Sequence, residues 1–132
     1  MKSLKFLTII GVLSFALFSF TSFIQEEWKV PEKYVNMKNP IDPDEDRSIG
    51  KSLYSKHCKS CHGKEGYGDG KKADEVEGDL GDFSSEETQS QTDGELFYKT
   101  TFGRDDMPEY TKKMPDDEDR WLIINYIRTL AE

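Results

Sequence analysis

The chain contains two cysteines, three residues apart, with a histidine directly behind the second: Cys58-Lys59-Ser60-Cys61-His62. On a helical turn this spacing sets both sulfurs on one side, and the imidazole that follows projects beside them. A closed zinc site takes four ligands, usually as two pairs. His57 is the only other histidine, so the second pair is missing. A thioredoxin-like redox pair needs a βαβ setting, and no strand pattern precedes Cys58. A plain disulfide suits an exported chain with two cysteines. It leaves His62 and the glycine-rich stretch behind it unexplained.

Composition adds a second constraint. Apolar residues make up 35% of the chain, but about a third of them lie in residues 1–24. Beyond position 24, fewer than three residues in ten are apolar, less than a soluble domain usually carries. Either that stretch is partly disordered, or something other than side chains fills part of its core. C-x-x-C-H is the attachment pattern of a c-type haem. Two sulfurs on one side can bond the two vinyl groups of one porphyrin, with His62 under the iron. The macrocycle then stands in for the missing core. The formal charge of -8 argues against nucleic-acid binding, which needs a basic surface to neutralise phosphates.

The first segment reads as a targeting element. Lys2 and Lys5 precede an apolar run, Phe6 to Phe20, broken only by Thr8, Gly11, Ser14 and Ser19. This is the pattern of a secretory signal, though no A-x-A triplet follows. Left uncut, Phe6 to Ile24 would make roughly 28 Å of helix, about enough to span a bilayer. Residues 1–24 are therefore expected to be a signal peptide or an uncleaved membrane anchor. The basic start, with Glu26 and Glu27 behind, directs the rest of the chain to the periplasm. Residues 25–45 read as a linker. Pro31, Pro40 and Pro43 disfavour helix, and Asp42 to Asp46 is acidic. Trp28, Val30 and Tyr34 are the residues there that could dock on a domain.

Residues 46–132 read as one all-α domain with three main helices. The first is expected from about Ser48, a good N-cap type, to about Cys58, with Ile49, Leu53 and Tyr54 on its apolar face. Gly50 costs helix stability, which makes sense if another backbone or ring packs tightly against it. Residues 63–82 form a loop rich in glycine. The second helix opens with the T-x-x-E capping box of Thr92 and Glu95 and ends at Gly103 in an αL position. The third starts around Pro115 to Asp117, with acids at its N-terminus and Arg128 in its last turn. It is apolar nearly all round through Trp121, Leu122, Ile123, Ile124, Tyr126, Ile127 and Leu130, so it should be buried on more than one side.

An iron held by His62 wants a second axial ligand, and Met37, Met107, Met114 and His57 are available. His57 lies beside Cys58 on the same helix and is poorly placed to cross a ring, so it reads as a surface residue. Met37 lies in the proline-rich segment. Met107 and Met114 are both followed by proline, so spacing alone does not separate them. Met107 follows Gly103-Arg104-Asp105-Asp106, which suits a loop wrapping a cofactor edge. Met114 directly precedes the third helix, where a methionine commonly fills core gaps.

Taken in order, Gly50, Cys58-x-x-Cys61-His62-Gly63, Gly66-x-Gly68-Asp69-Gly70, Met107-Pro108-x-Tyr110 and Trp121 to Leu130 resemble a small class I cytochrome c. The resemblance covers residues 46–132. It implies the small cytochrome c fold, with three main helices and loops around one covalently bound haem. Cys58 and Cys61 would be the haem thioethers, and His62 and Met107 the axial ligands of the iron. Met114 falls where the family usually has an aliphatic residue. The family crosses its first and last helices at a glycine and an aromatic, here Gly50 and Tyr126. It often has a proline after G-D-G whose carbonyl orients the ligand imidazole. Lys71 stands there instead, and a backbone carbonyl near Lys71 or Lys72 is the expected substitute.

The implied function is electron transfer, not enzymatic catalysis, because His/Met ligation leaves the iron no open position. The thioether ligand raises its reduction potential. Phe97, Phe102, Trp121, Tyr54 and Tyr110 are candidates for the haem wall. Partners would be redox-protein donors and acceptors docking weakly on the haem edge, with the chain a monomer or a subunit. A haem subunit of a larger membrane oxidoreductase complex is the alternative, and a haem enzyme or gas sensor with a labile methionine is a third reading.

Overall fold

The computed structural model describes residues 26–131. The expected signal or anchor therefore lies outside the described residues. Within them are helices α1 (Glu32–Val35), α2 (Arg47–His57), α3 (Lys59–His62), α4 (Glu86–Gln89), α5 (Asp93–Phe102) and α6 (Asp117–Arg128), with a 3-10 turn at Ala73–Glu75. Among the described residues there is no strand, and extended pairing is limited to an isolated bridge between Arg104 and Met107. The all-α expectation holds, and α2, α5 and α6 are the three main helices. Among the described residues, no helix is long and apolar enough to cross a membrane.

The frame is the crossing of α2 and α6. A Cβ on Gly50 would stand 2.3 Å from the Leu122 carbonyl oxygen and 3.4 Å from the Tyr126 Cβ. The glycine thus meets the α6 backbone first and the Tyr126 side chain second. Tyr54, one turn further along α2, is buried with its ring 5.0 Å from that of Tyr126. The buried side of α6 wraps most of its circumference, with Trp121, Leu122, Ile123, Ile124 and Ile127 all in the core. Phe97 of α5 stacks on Trp121 at 3.9 Å, which joins the third helix to the crossing.

Helix termini differ in detail from their sequence signals. Helix α2 begins at Arg47, with Asp46 as its N-cap at φ 46 and no side-chain cap. Asp tolerates the left-handed region, so the backbone turn that closes the acidic run starts the helix, and Ser48 falls inside its first turn. Ile49 is 43% exposed, so the buried face of α2 runs through Gly50, Leu53 and Tyr54. The capping box of α5 forms as expected: Glu95 N–H donates to Thr92 Oγ1 at 3.2 Å, and Thr92 N–H donates to Glu95 Oε2 at 2.7 Å. Gly103 follows at φ 62 but ψ 178, an extended exit rather than the αL cap expected.

The segment expected to be a linker is instead packed as a strap across α5 and α6. Tyr34 of α1 meets Tyr98 at 4.8 Å and Phe102 at 5.6 Å. Its carbonyl lies so close to α5 that a Cβ on Gly94 would come within 1.8 Å of it. Further on, Asn39 Nδ2 donates to Asn125 Oδ1 at 2.8 Å, and Asn125 Nδ2 donates to the Asp42 carbonyl at 3.1 Å. Prolines do not prevent this, because the strap needs few ladder hydrogen bonds and docks through side chains.

Candidate functional site

The Cys-His segment is a tight helical continuation of α2. Cys58 N–H donates to the Tyr54 carbonyl at 2.8 Å, and Cys61 and His62 N–H both donate back to the Cys58 carbonyl. Cys58, Cys61 and His62 are therefore held on one turn, each half-buried. The cysteines are not joined to each other. Burial, and secondarily Cys61, pushes the Cys58 thiol up to about 12. Among the described residues, no group of three or more His, Cys, Asp or Glu converges as a metal cage.

The glycine loop folds back on this turn and ties down its outward carbonyls. Gly68 N–H donates to the His62 carbonyl at 2.9 Å, Gly70 to Cys61 at 3.0 Å and Lys72 to Ser60 at 2.8 Å. The approach is close enough that a Cβ on Gly70 would lie 2.4 Å from the Ser60 carbonyl oxygen. Here the glycine is required by proximity. Tyr54 Oη completes the clamp by donating to the Gly63 carbonyl at 2.9 Å.

The acceptor for His62 is not near Lys71 or Lys72. Nδ1 lies 3.1 Å from the carbonyl of Leu80. A carbonyl can only accept, so Nδ1 carries the proton and Nε2 presents its lone pair. That is the tautomer an imidazole needs to bind a metal through Nε2. Phe83 stacks on the ring at 4.5 Å and 23°, limiting its rotation. Burial pulls the imidazole below its ordinary pKa, against the raising effect of the Leu80 bond. Lys71 could not reveal Leu80, because the loop between them closes through turns whose path depends on tertiary packing.

Met107 sits on a short loop closed at both ends. Arg104 and Met107 exchange backbone hydrogen bonds of 2.9 Å, and Tyr110 N–H returns to the Thr101 carbonyl at 3.0 Å. Gly103 lets the loop turn in tightly, since a Cβ there would be 2.2 Å from the Met107 carbonyl oxygen. Tyr110 Oη donates to the His57 carbonyl at 2.7 Å, riveting this loop to the residue before Cys58. The two motifs, far apart in sequence, are thus fastened together. Met107 is half-buried, whereas Met114 is 1% exposed in the core cluster with Tyr54, Tyr110 and Trp121. The Met114 carbonyl accepts from the buried Arg120 guanidinium.

Two expected roles change, and Met37 stays with its segment. Phe102 is 42% exposed beneath the strap, so it is not part of an inner wall. His57 is half-buried rather than a free surface residue, with its ring edge-on to Tyr110 at 5.8 Å. Met37 packs against the core edge near Gly94, on the strap side.

An all-α frame crossed at a glycine, a C-x-x-C-H turn with an Nδ1-protonated histidine and a tethered methionine loop together define a c-type cytochrome. The family described as cytochrome c oxidase, cbb3-type, subunit III matches residues 45–127, and the chain belongs to that family. It carries haem c, covalently bound and containing iron. Among solved structures, a chain of the Kuenenia stuttgartiensis reducing HAO-like protein complex is similar, with a TM-score of 0.58 and 29% identity. That similarity covers 83% of this chain and 53% of the other, so this chain spans about half of its relative's length. No curated protein matches the chain.

Proposed function

We propose that Cys58 and Cys61 hold the haem through thioethers, that His62 and Met107 are its axial ligands, and that the chain is a one-electron carrier rather than an enzyme. The observation that carries this reading is the Nδ1 bond of His62 to Leu80, which leaves Nε2 free to ligate. When bound, the haem supplies an iron that cycles between two oxidation states. The protein's own residues hold the ligands still. The glycine clamp fixes the Cys-His turn, Phe83 and Leu80 set the imidazole plane, and Tyr110 holds the Met107 loop against the end of α2. Ligand geometry that stays the same in both oxidation states keeps reorganisation small.

Residues 1–24 export the chain to the periplasm and either leave it or tether it to the inner membrane. There it passes electrons between respiratory partners. The charge of -8 suits partners with a basic docking face. A second reading, a fixed haem subunit of a larger oxidoreductase, is favoured by the family description and by the neighbour being a complex.

The test is maturation in a host competent for c-type cytochromes, followed by mass spectrometry and visible spectroscopy. One haem mass is expected on the chain. Met107→Ala is expected to abolish the red-region charge-transfer band of methionine-ligated ferric iron and to admit carbon monoxide to the reduced protein. Met114→Ala should change neither. A colourless product, or a Met107→Ala spectrum identical to the parent's, overturns the reading. Size-exclusion chromatography of extracts from the source cells, followed by haem absorbance, separates the two assemblies. The carrier elutes at the size of the single matured chain, and the subunit elutes with a larger complex.

A further inference from the structure

The strap lies almost entirely ahead of the family match, which begins at residue 45, yet its first described residues reach the methionine loop. Arg104 is the junction. Its backbone closes the Met107 loop through the paired 2.9 Å hydrogen bonds. Its guanidinium lies over the Trp28 ring, 4.6 Å from the centroid, and Nη1 donates to the Glu26 carbonyl at 3.0 Å. Lys99 Nζ, from the last turns of α5, lies 5.7 Å from the same ring. Trp28 is half-buried beside these cations. Such contacts hold a guanidinium flat against an indole face. The rest of the strap is secured independently, by Tyr34 on Tyr98 and by Asn39 on Asn125, so it offers Arg104 a fixed surface.

We infer that Trp28 and Arg104 are positioning residues for the axial methionine: the strap clamps Arg104, and Arg104 keeps the Met107 loop closed over the iron. This rests on the proposed ligation by Met107. In energetic terms, the loop has a closed form with methionine bound and an open form with a vacant iron position. An exogenous ligand such as imidazole binds only the open form, so its apparent affinity reports the open fraction. Loss of a cation–π contact should raise that fraction severalfold.

The experiment titrates imidazole into the matured ferric protein and follows the visible spectrum. Trp28→Ala is expected to tighten apparent imidazole binding roughly 3–10-fold. Trp28→Phe, which keeps a ring face, should stay close to the parent. Ile124→Val, a core change in α6 that removes none of the Trp28 or Arg104 atoms, serves as the stability control and should leave imidazole affinity unchanged. The inference fails if Trp28→Ala binds imidazole like the parent. It also fails if Ile124→Val and Trp28→Ala tighten binding equally, since the effect would then be general destabilisation. A failure of the underlying ligation reading is distinguishable, because Met107→Ala would then match the parent in both spectrum and imidazole affinity. Should Trp28→Ala not accumulate, Arg104→Gln carries the same expectation.

Discussion

Gly50→Ala tests the crossing on which the whole site is built. The added Cβ would stand 2.3 Å from the Leu122 carbonyl oxygen and 3.0 Å from its carbon, where ordinary contact begins at 3.4 Å. The atom struck is helix backbone, which cannot rotate away as a side chain can. Relief therefore requires α2 and α6 to separate by about 1 Å, a gap that forfeits a quarter to a half of each dispersion contact across it. Tyr54 on Tyr126 lies in that interface. Overpacking of this kind costs about 3 kcal/mol, while replacing glycine by alanine inside a helix contributes about 1 kcal/mol the other way. The net is about 2 kcal/mol of destabilisation, or a Tm lowered by about 8–15 °C for a domain of this size. Thermal unfolding of the matured protein, followed by far-ultraviolet circular dichroism, measures it. Ser52→Ala, exposed on the same helix, isolates the propensity effect and should raise Tm slightly. A Gly50→Ala protein as stable as the parent would refute the close crossing.

Other perturbations probe the clamp, the strap and the rivet. Gly70→Ala drives a Cβ into the Ser60 and Cys61 carbonyls and should lower stability by about 1–3 kcal/mol, seen as a reduced midpoint in guanidinium unfolding with an unchanged slope. Asn125→Ala leaves Asn39 without its side-chain acceptor and should cost about 1–3 kcal/mol. Hydrogen exchange should then quicken in residues 34–42 while α2 stays protected. Burial, ahead of the nearby cysteines, pushes the Tyr110 hydroxyl up to about 12, so the folded state keeps a proton that the unfolded state loses near 10. Its stabilisation is complete below pH 10 and disappears as pH climbs through about 12. Tyr110→Phe should show a flatter loss of Tm across that window, although its stability at neutral pH is lower for want of the His57 bond.

Much of the site could be read from residues in order. C-x-x-C-H and M-P-x-Y stand as local patterns, and the Thr92–Glu95 box marked the start of α5 because both partners lie within one turn. Gly50 signals a close approach of another backbone or ring, and the Leu122 backbone comes closest, ahead of Tyr126. The acceptor for His62 was misplaced by several residues, since Leu80 is reached only after the glycine loop has closed. Prolines and acids mark the strap as a linker by local preference; Trp28 and Tyr34 could be read as docking residues, but not the surfaces they meet. Phe102 was assigned inward by its apolarity, but its neighbour across space is Tyr34.

What the order of amino acids determined alone were features whose energy is settled within a turn or two: the paired thiols beside an imidazole, the capped start of α5, the acidic opening of α6. Tertiary structure decided which carbonyl takes the His62 proton, which methionine enters the core, and that the Trp28 segment lies against Arg104. Those choices join residues tens of positions apart. Their energies depend on helix packing that places the groups within hydrogen-bonding distance, and no short stretch of chain contains that information.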